Sequence, residues 1–179
     1  MLTIENSLLL VIDTQESLAR VMHGKEGLFE NLQKIIRGAG ILGVPLIVTE
    51  QVPEKLGTTI PEISSLLGAV TPIPKSSFSC CGEERFMKEL DGAKRRQVLV
   101  AGIESHVCVY QTAVDLVRKG YEVHILTDCI SSRTEENRLL GIERMREEGA
   151  KITGTEMFLF ELMRVAGGDR FREISRLVK

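Results

Sequence analysis

The sequence is short of the features that mark most specialised proteins. Among 179 residues there are only 3 histidines and 4 cysteines. The cysteines, at positions 80, 81, 108 and 129, lack the spaced pairs of a zinc site and are too few for a disulfide scaffold. That usage suits a reducing cytoplasm, which is the expected location. Positive charge is not in excess: 23 Lys and Arg against 25 Asp and Glu leave a formal charge of −2. A nucleic-acid partner would call for a basic domain or stripe, so none is expected. The longest apolar run near the start, Leu8 to Ile12, is too short for a membrane span or a signal peptide, and no basic segment precedes it. No membrane partner is expected either. Gly40, Gly43 and Gly102 do not make a G-x-G-x-x-G loop after the first strand, which excludes a dinucleotide and leaves no cofactor expected. Linkers, repeats and low-complexity tracts are missing as well.

What is present is an ordinary globular composition, 43% hydrophobic and 27% charged. The length suits one well-buried domain over residues 1–179. Apolar segments alternate with amphipathic ones. Ser7–Asp13 (SLLLVID) reads as a strand ending in a carboxylate, and Leu28–Leu42 as a helix stopped by Gly43 and Pro45. Pro45–Glu50 is a second strand, Gln51–Ile60 an irregular loop and Pro61–Leu67 a short helix. Val70–Ile73 is a weak third strand, Gly82–Leu90 a helix, and Gln97–Ile103 (QVLVAGI) a buried strand. His106–Lys119 reads as helical up to Gly120. Glu122–Asp128 follows as a fifth strand. A helix then opens on a Ser132/Glu135 capping box and runs to Glu148. Lys151–Gly154 is a sixth strand, with helical segments after it. Strands without polar alternation, separated by helices, indicate an α/β fold: a three-layer, doubly wound, mainly parallel six-stranded sheet with helices on both faces.

In such a sheet the carboxyl ends of the strands lie along one edge, where ligands bind. Asp13 closes the first strand, Lys75 follows the third, and Cys108 begins the helix after QVLVAGI. Each has an ordinary reading. Cys108 can be a small packed thiol, Asp13 a helix cap and Lys75 a solvated loop lysine. Each also has a chemical one. A thiol near a helix start and a cation is lowered toward thiolate, an aspartate is a base for it, and a lysine holds the aspartate's charge. His106, two residues from Cys108, points elsewhere on a helix and makes a poor base for it. His124 alternates with apolar neighbours and reads as packed, as does Cys129. Cys80 and Cys81 form a vicinal pair on the loop after Lys75, either lining a pocket mouth or serving as small loop residues.

These residues sit in motifs that resemble the isochorismatase-like cysteine hydrolases, most closely the isochorismatase domain-containing proteins. The pieces are LLLVIDTQ, TEQVPEKLGTTIPEI, PIPKSSFS, VLVAGIESHVCVYQTA and GYEVHILTDCISSR, in the family's order over about residues 5–165. The resemblance implies a catalytic triad of Asp13, Lys75 and Cys108. It also implies a cis peptide at Ile103–Glu104 and an oxyanion hole from the Glu104 and Cys108 amides. Nicotinamidases in this family bind a metal through an Asp-x-His pair and a further histidine. Here the region after the second strand reads Thr49-Glu50-Gln51-Val52-Pro53, so no metal and no nicotinamide substrate are expected. Isochorismate is not expected either, because its hydrolases typically lack the cysteine.

The expected function is hydrolysis of a small amide, ureido or related acyl substrate through a thioester-type intermediate on Cys108. Substrate-pocket candidates are Gln15, Gln51, Phe78 and Ile103, together with Arg133, which suits an anionic group or a surface ion pair equally. Relatives commonly form dimers or larger symmetric oligomers, so a homo-oligomer is expected. The alternatives are a family member that binds or interacts without turnover, and a thiol redox protein.

Overall fold

A computed structural model describes residues 1–179. The strands are β1 (Ser7–Ile12), β2 (Leu46–Gln51), β3 (Ile73–Lys75), β4 (Gln97–Ile103), β5 (Glu122–Ser131) and β6 (Lys151–Thr153). The helices are α1 (Glu16–Ala19), α2 (Lys25–Leu42), α3 (Pro53–Leu56), α4 (Pro61–Ser64), α5 (Glu84–Gly92), α6 (Tyr110–Arg118), α7 (Glu135–Glu147), α8 (Thr155–Met163) and α9 (Gly168–Leu177). The sheet order is β3-β2-β1-β4-β5-β6, and every neighbouring pair is parallel. The α/β doubly wound sheet read from the sequence is therefore the observed fold.

Its apolar strands are explained by burial on both faces. In β1, Leu8, Leu10 and Ile12 pack with Phe86 and Leu90 of α5, Ala113 and Leu116 of α6, and Ile142 and Met145 of α7. The alternate residues Leu9 and Val11 pack with Leu32, Ile35 and Ala39 of α2, Phe158 and Leu159 of α8, and Ile174 of α9. A strand with helices on each side has no face left for polar residues. Strand order reverses between β1 and β4, which opens a crevice beyond their carboxyl ends.

Boundaries differ from the sequence reading where tertiary pairing decides them. The third strand forms at Ile73–Lys75, because Thr49–Gln51 of β2 pair with those residues. Val70 is instead tied into a turn by its N–H to Leu67 O. Lys75 is thus the last residue of a strand and not a loop residue. The fifth strand runs on to Ser131 through an irregularity: Val100 pairs with Ile125, but Gly102 pairs with Ile130. The cap of α7 is Thr134, whose hydroxyl accepts from Asn137 N–H at 3.3 Å. Ser132 is buried instead, hydrogen-bonded to His106. The loop after β2 contains the short helix α3. The helix after β4 starts later than His106, because Ser105–Val109 forms a π turn in which Val109 N–H reaches Glu104 O at 3.2 Å.

Gly102 is required for the crevice to form. Its φ is +112°, and a Cβ there would lie 2.1 Å from Ile12 O, in the strand beside it. No rotation of a side chain relieves a clash with backbone. Gly102→Ala is expected to destabilise the fold by about 3 kcal/mol or more. Urea titration measures this, and a loss under about 1 kcal/mol would contradict the account.

Candidate active site

β1 and β3 end on the same edge, and each delivers one charged residue. Asp13 follows β1 with a left-handed backbone (φ 53°), a region that aspartate tolerates better than most residues. Its carboxylate is wholly buried. Lys75 Nζ donates to Asp13 Oδ2 at 2.7 Å, and Thr49 Oγ1 donates to Oδ1 at 2.8 Å. Thr49 is placed by the register of β1 and β2, which sets it opposite Ile12. Lys75 has further acceptors in Gln51 Oε1 at 2.6 Å, Phe78 O at 3.0 Å and Ser77 O at 3.1 Å. Four acceptors around three protons leave the ammonium fully satisfied, as a buried charge requires.

β4 delivers the thiol. After its last residue the Ile103–Glu104 peptide is cis, and the π turn carries Cys108, which is 7% exposed. α7 presses directly on this turn: a Cβ at Gly141 would lie 2.7 Å from the Ser105 carbonyl carbon and oxygen. The Glu104 N–H donates to no protein acceptor. Burial, then the negative charge of Asp13, push the Cys108 thiol from its ordinary value near 9 up to about 12. Lys75 pulls the other way but is outweighed, because its charge is matched by Asp13. The lowered, thiolate-like cysteine expected from a helix start and a nearby cation is therefore not what the fold builds. It builds a neutral thiol beside a buried carboxylate.

The other candidates are distributed around this centre. Gln51 shares the Lys75 ammonium and donates through Nε2 to Ser76 O at 2.8 Å. Gln15 is wholly buried; its amide accepts from Gln51 N–H and donates to Gln51 O and Gly57 O. That arrangement fastens the loop after β2 to the end of β1. Phe78 gives its carbonyl to Lys75, while its ring stands 55% exposed. Ile103 is wholly buried in the core cluster on the α2 side. Arg133 lies at the rim, with Nε 3.2 Å from Glu104 Oε1. Glu50, in the region where nicotinamidases hold metal, accepts from both the N–H and the hydroxyl of Thr59 at 2.7 Å.

Two further residues lie at the centre: Thr49, which is not among the sequence candidates, and Cys80, which reads from the sequence only as a pocket-mouth or small loop residue. Thr49 holds Asp13, and the strand register alone carries the signal for it. Cys80 lies wholly buried beside Thr49, 3.7 Å from its hydroxyl, with its N–H on Thr112 Oγ1. Burial pushes its thiol up to about 12 and that of Cys81 up to about 11. His106 binds Ser132 Oγ through Nδ1 at 2.9 Å and lies 3.7 Å from Glu104. His124 and Cys129 are buried, as read from the sequence.

Comparison with known proteins shows what the chain is similar to. The isochorismatase domain family model matches residues 7–157. Isochorismatase domain-containing protein 2A of Mus musculus is 35% identical over 176 residues, covering 98% of this chain and 84% of the relative. The solved structure of MAR1 ribonuclease from Caenorhabditis elegans superposes with a TM-score of 0.91 at 35% identity, covering 99% of this chain and 91% of that one. The ycaC gene product of Escherichia coli, described as an octameric hydrolase of unknown specificity, shares the fold. Its TM-score is 0.90 at 20% identity, covering 99% of this chain and 94% of that one.

A thiol titrating near 12 has a signature in the resting protein. The rate of Cys108 alkylation by iodoacetamide, followed by peptide mass mapping, is expected to rise about tenfold per pH unit from pH 7 to 10. A plateau below pH 9 would show a preformed thiolate and contradict this electrostatic picture.

Proposed function

The chain belongs to the isochorismatase family, and from that premise we propose that it is a cysteine hydrolase of a small amide, ureido or related acyl substrate. The observation that carries the reading is a buried carboxylate whose charge acts on the Cys108 thiol and which Lys75 and Thr49 hold in place. A base fixed in this way accepts a proton without moving.

The chemistry runs in two halves. As Cys108 sulfur attacks the substrate carbonyl, its proton passes to Asp13 and the oxyanion forms against the Glu104 and Cys108 amides. The new carboxylic acid of Asp13 then protonates the leaving nitrogen, the C–N bond breaks, and an acyl thioester remains on Cys108. Water enters, gives a proton to Asp13 and attacks the thioester. The C–S bond breaks, and Asp13 returns the proton to sulfur. Lys75 holds Asp13 in place and balances its charge throughout. With all its protons engaged, it makes no direct contact with substrate. A raised thiol suits this sequence, because a neutral site costs less to bury than an extra charge and the proton moves only when the carbonyl arrives. Gln15, after β1, and Gln51, at the end of β2, shape the wall by fastening the loop after β2, and Phe78 and Arg133 line the entrance.

The ribonuclease name of the nematode structure raises a nucleic-acid substrate for comparison. A formal charge of −2 gives no electrostatic case for one, and a buried carboxylate beside a thiol favours acyl transfer. The four thiols are all free, in keeping with a cytoplasmic location. No helix is long and apolar enough to cross a membrane. Residues 1–179 act as one catalytic domain, assembled as a homo-oligomer in the manner described for the Escherichia coli protein.

Ammonia release from a panel of small primary amides and ureido compounds tests the reading. Cys108→Ala is expected to remove turnover. Asp13→Asn is expected to lower it by a factor of about 10² to 10⁴, because the leaving nitrogen loses its acid. Turnover surviving in Cys108→Ala, or within tenfold of wild type in Asp13→Asn, would sink the mechanism.

A further inference from the structure

Three carboxylates are buried in this protein: Asp13, Glu50 and Glu104. A buried charge is costly unless it is paired. Asp13 has Lys75, and Glu104 has Arg133 and His106. Glu50, only 8% exposed, has no lysine, arginine or histidine within ion-pair distance. Both hydrogen bonds that it accepts, from the Thr59 N–H and hydroxyl, fall on Oε1. Oε2 has no partner in the chain, yet it is not sealed in the interior.

The space beside Glu50 is a cavity of about 380 Å³, and Glu50 is the one charged residue in its lining. Thr58, Ser64 and Thr71 bring exposed hydroxyls to it that have no partner in the chain, and Leu67 and Val70 give it an apolar side. Alternation along β2 turns this cavity away from the catalytic crevice. Ile47 packs on the α5 side of the sheet and Val48 on the α2 side. Thr49 and Gln51 reach Asp13 and Lys75, so Glu50 between them faces the other way.

The donor set restricts what can bind. A single carboxylate with no further acidic, histidine or cysteine neighbours is too little charge for a divalent ion. A guanidinium is matched by two free carboxylate oxygens, and Thr59 already occupies one. An ammonium is a point charge with three protons, which suits one free oxygen among hydroxyl acceptors. We propose that this cavity binds a small primary alkylammonium ligand, with Glu50 Oε2 as its counter-charge. The hydroxyls take the remaining protons, and the alkyl chain lies against Leu67 and Val70. The site is separate from the catalytic crevice and does not depend on hydrolysis at Cys108.

Nitrogen–proton correlation NMR of the wild-type protein, titrated with n-butylammonium chloride at pH 7, tests it. Shifts are expected to saturate at Thr59, Gly68 and Thr71 with a Kd of about 1–10 mM, the scale for one ion pair and a short apolar tail. Tetramethylammonium chloride carries the charge without N–H donors and is expected to bind at least about tenfold more weakly. Glu50→Gln keeps an oxygen for Thr59 and removes the charge, so butylammonium binding should weaken at least about tenfold. If that variant does not fold, Ser64→Leu at an exposed position decides, because it removes an acceptor and narrows the cavity. A loss of at least about threefold is expected there. Shifts absent from these residues, equal affinity for tetramethylammonium, or unchanged binding in whichever variant folds would overturn the site.

Discussion

The buried ion pair between Lys75 and Asp13 is the constraint around which the rest of the site is arranged. Neither side chain reaches solvent, and their atoms approach to 2.7 Å. Removing either partner of such a pair leaves an uncompensated charge in a low-dielectric interior, typically at a cost of about 3–5 kcal/mol. The fold meets that demand with the strand register that brings Thr49 to Asp13 and with the loop carbonyls of Ser77 and Phe78 on Lys75. Gln51 completes the shell, and Gln15 holds Gln51. Three segments distant in sequence, residues 13–15, 49–51 and 75–78, are thereby committed to one geometry.

That geometry determines what kind of cysteine Cys108 is. A lysine beside a thiol would favour thiolate, but here its charge is already matched by Asp13, and the net effect of burial and the carboxylate is to keep the proton on sulfur. The resting site holds one balanced ion pair and one neutral thiol. Reactivity then depends on a substrate carbonyl reaching the thiol and on donors facing the oxygen that gains charge. In the proposed mechanism the unpaired Glu104 N–H is one of those donors, and Gly141 packs closely against the turn at Ser105. Gly102, with a positive φ and Ile12 against it, closes the crevice from the sheet side.

The layer architecture was legible because β1 and β4 are apolar on both faces, a pattern that only a sheet covered twice can bury. That Asp13 lies on the edge from which Cys108 projects was legible because one closes β1 and the other follows β4. Lys75 was legible as a residue on the same edge, but its strand was read at Val70–Ile73, since a short Pro-containing strand such as Ile73–Lys75 has no periodicity to read. Thr49 and Cys80 were hidden for a different reason: their roles come from neighbours across the sheet and from a loop folded back under it. The direction of the Cys108 shift was misjudged from sequence because the helix-start argument weighs one cation. The structure weighs that cation together with its partner and with burial. The cap of α7 passed from Ser132 to Thr134 because β5 continues past Asp128 and draws Ser132 into the interior.

The central claim is that an acyl group passes through Cys108. The most direct measurement is acid-quenched peptide mass spectrometry of the wild-type protein during turnover of any amide or ester it accepts. The account predicts a mass increment equal to the substrate's acyl group on the peptide containing Cys108, appearing and decaying with turnover. Continuing turnover with no such increment, or with the increment on Cys81 instead, would contradict it.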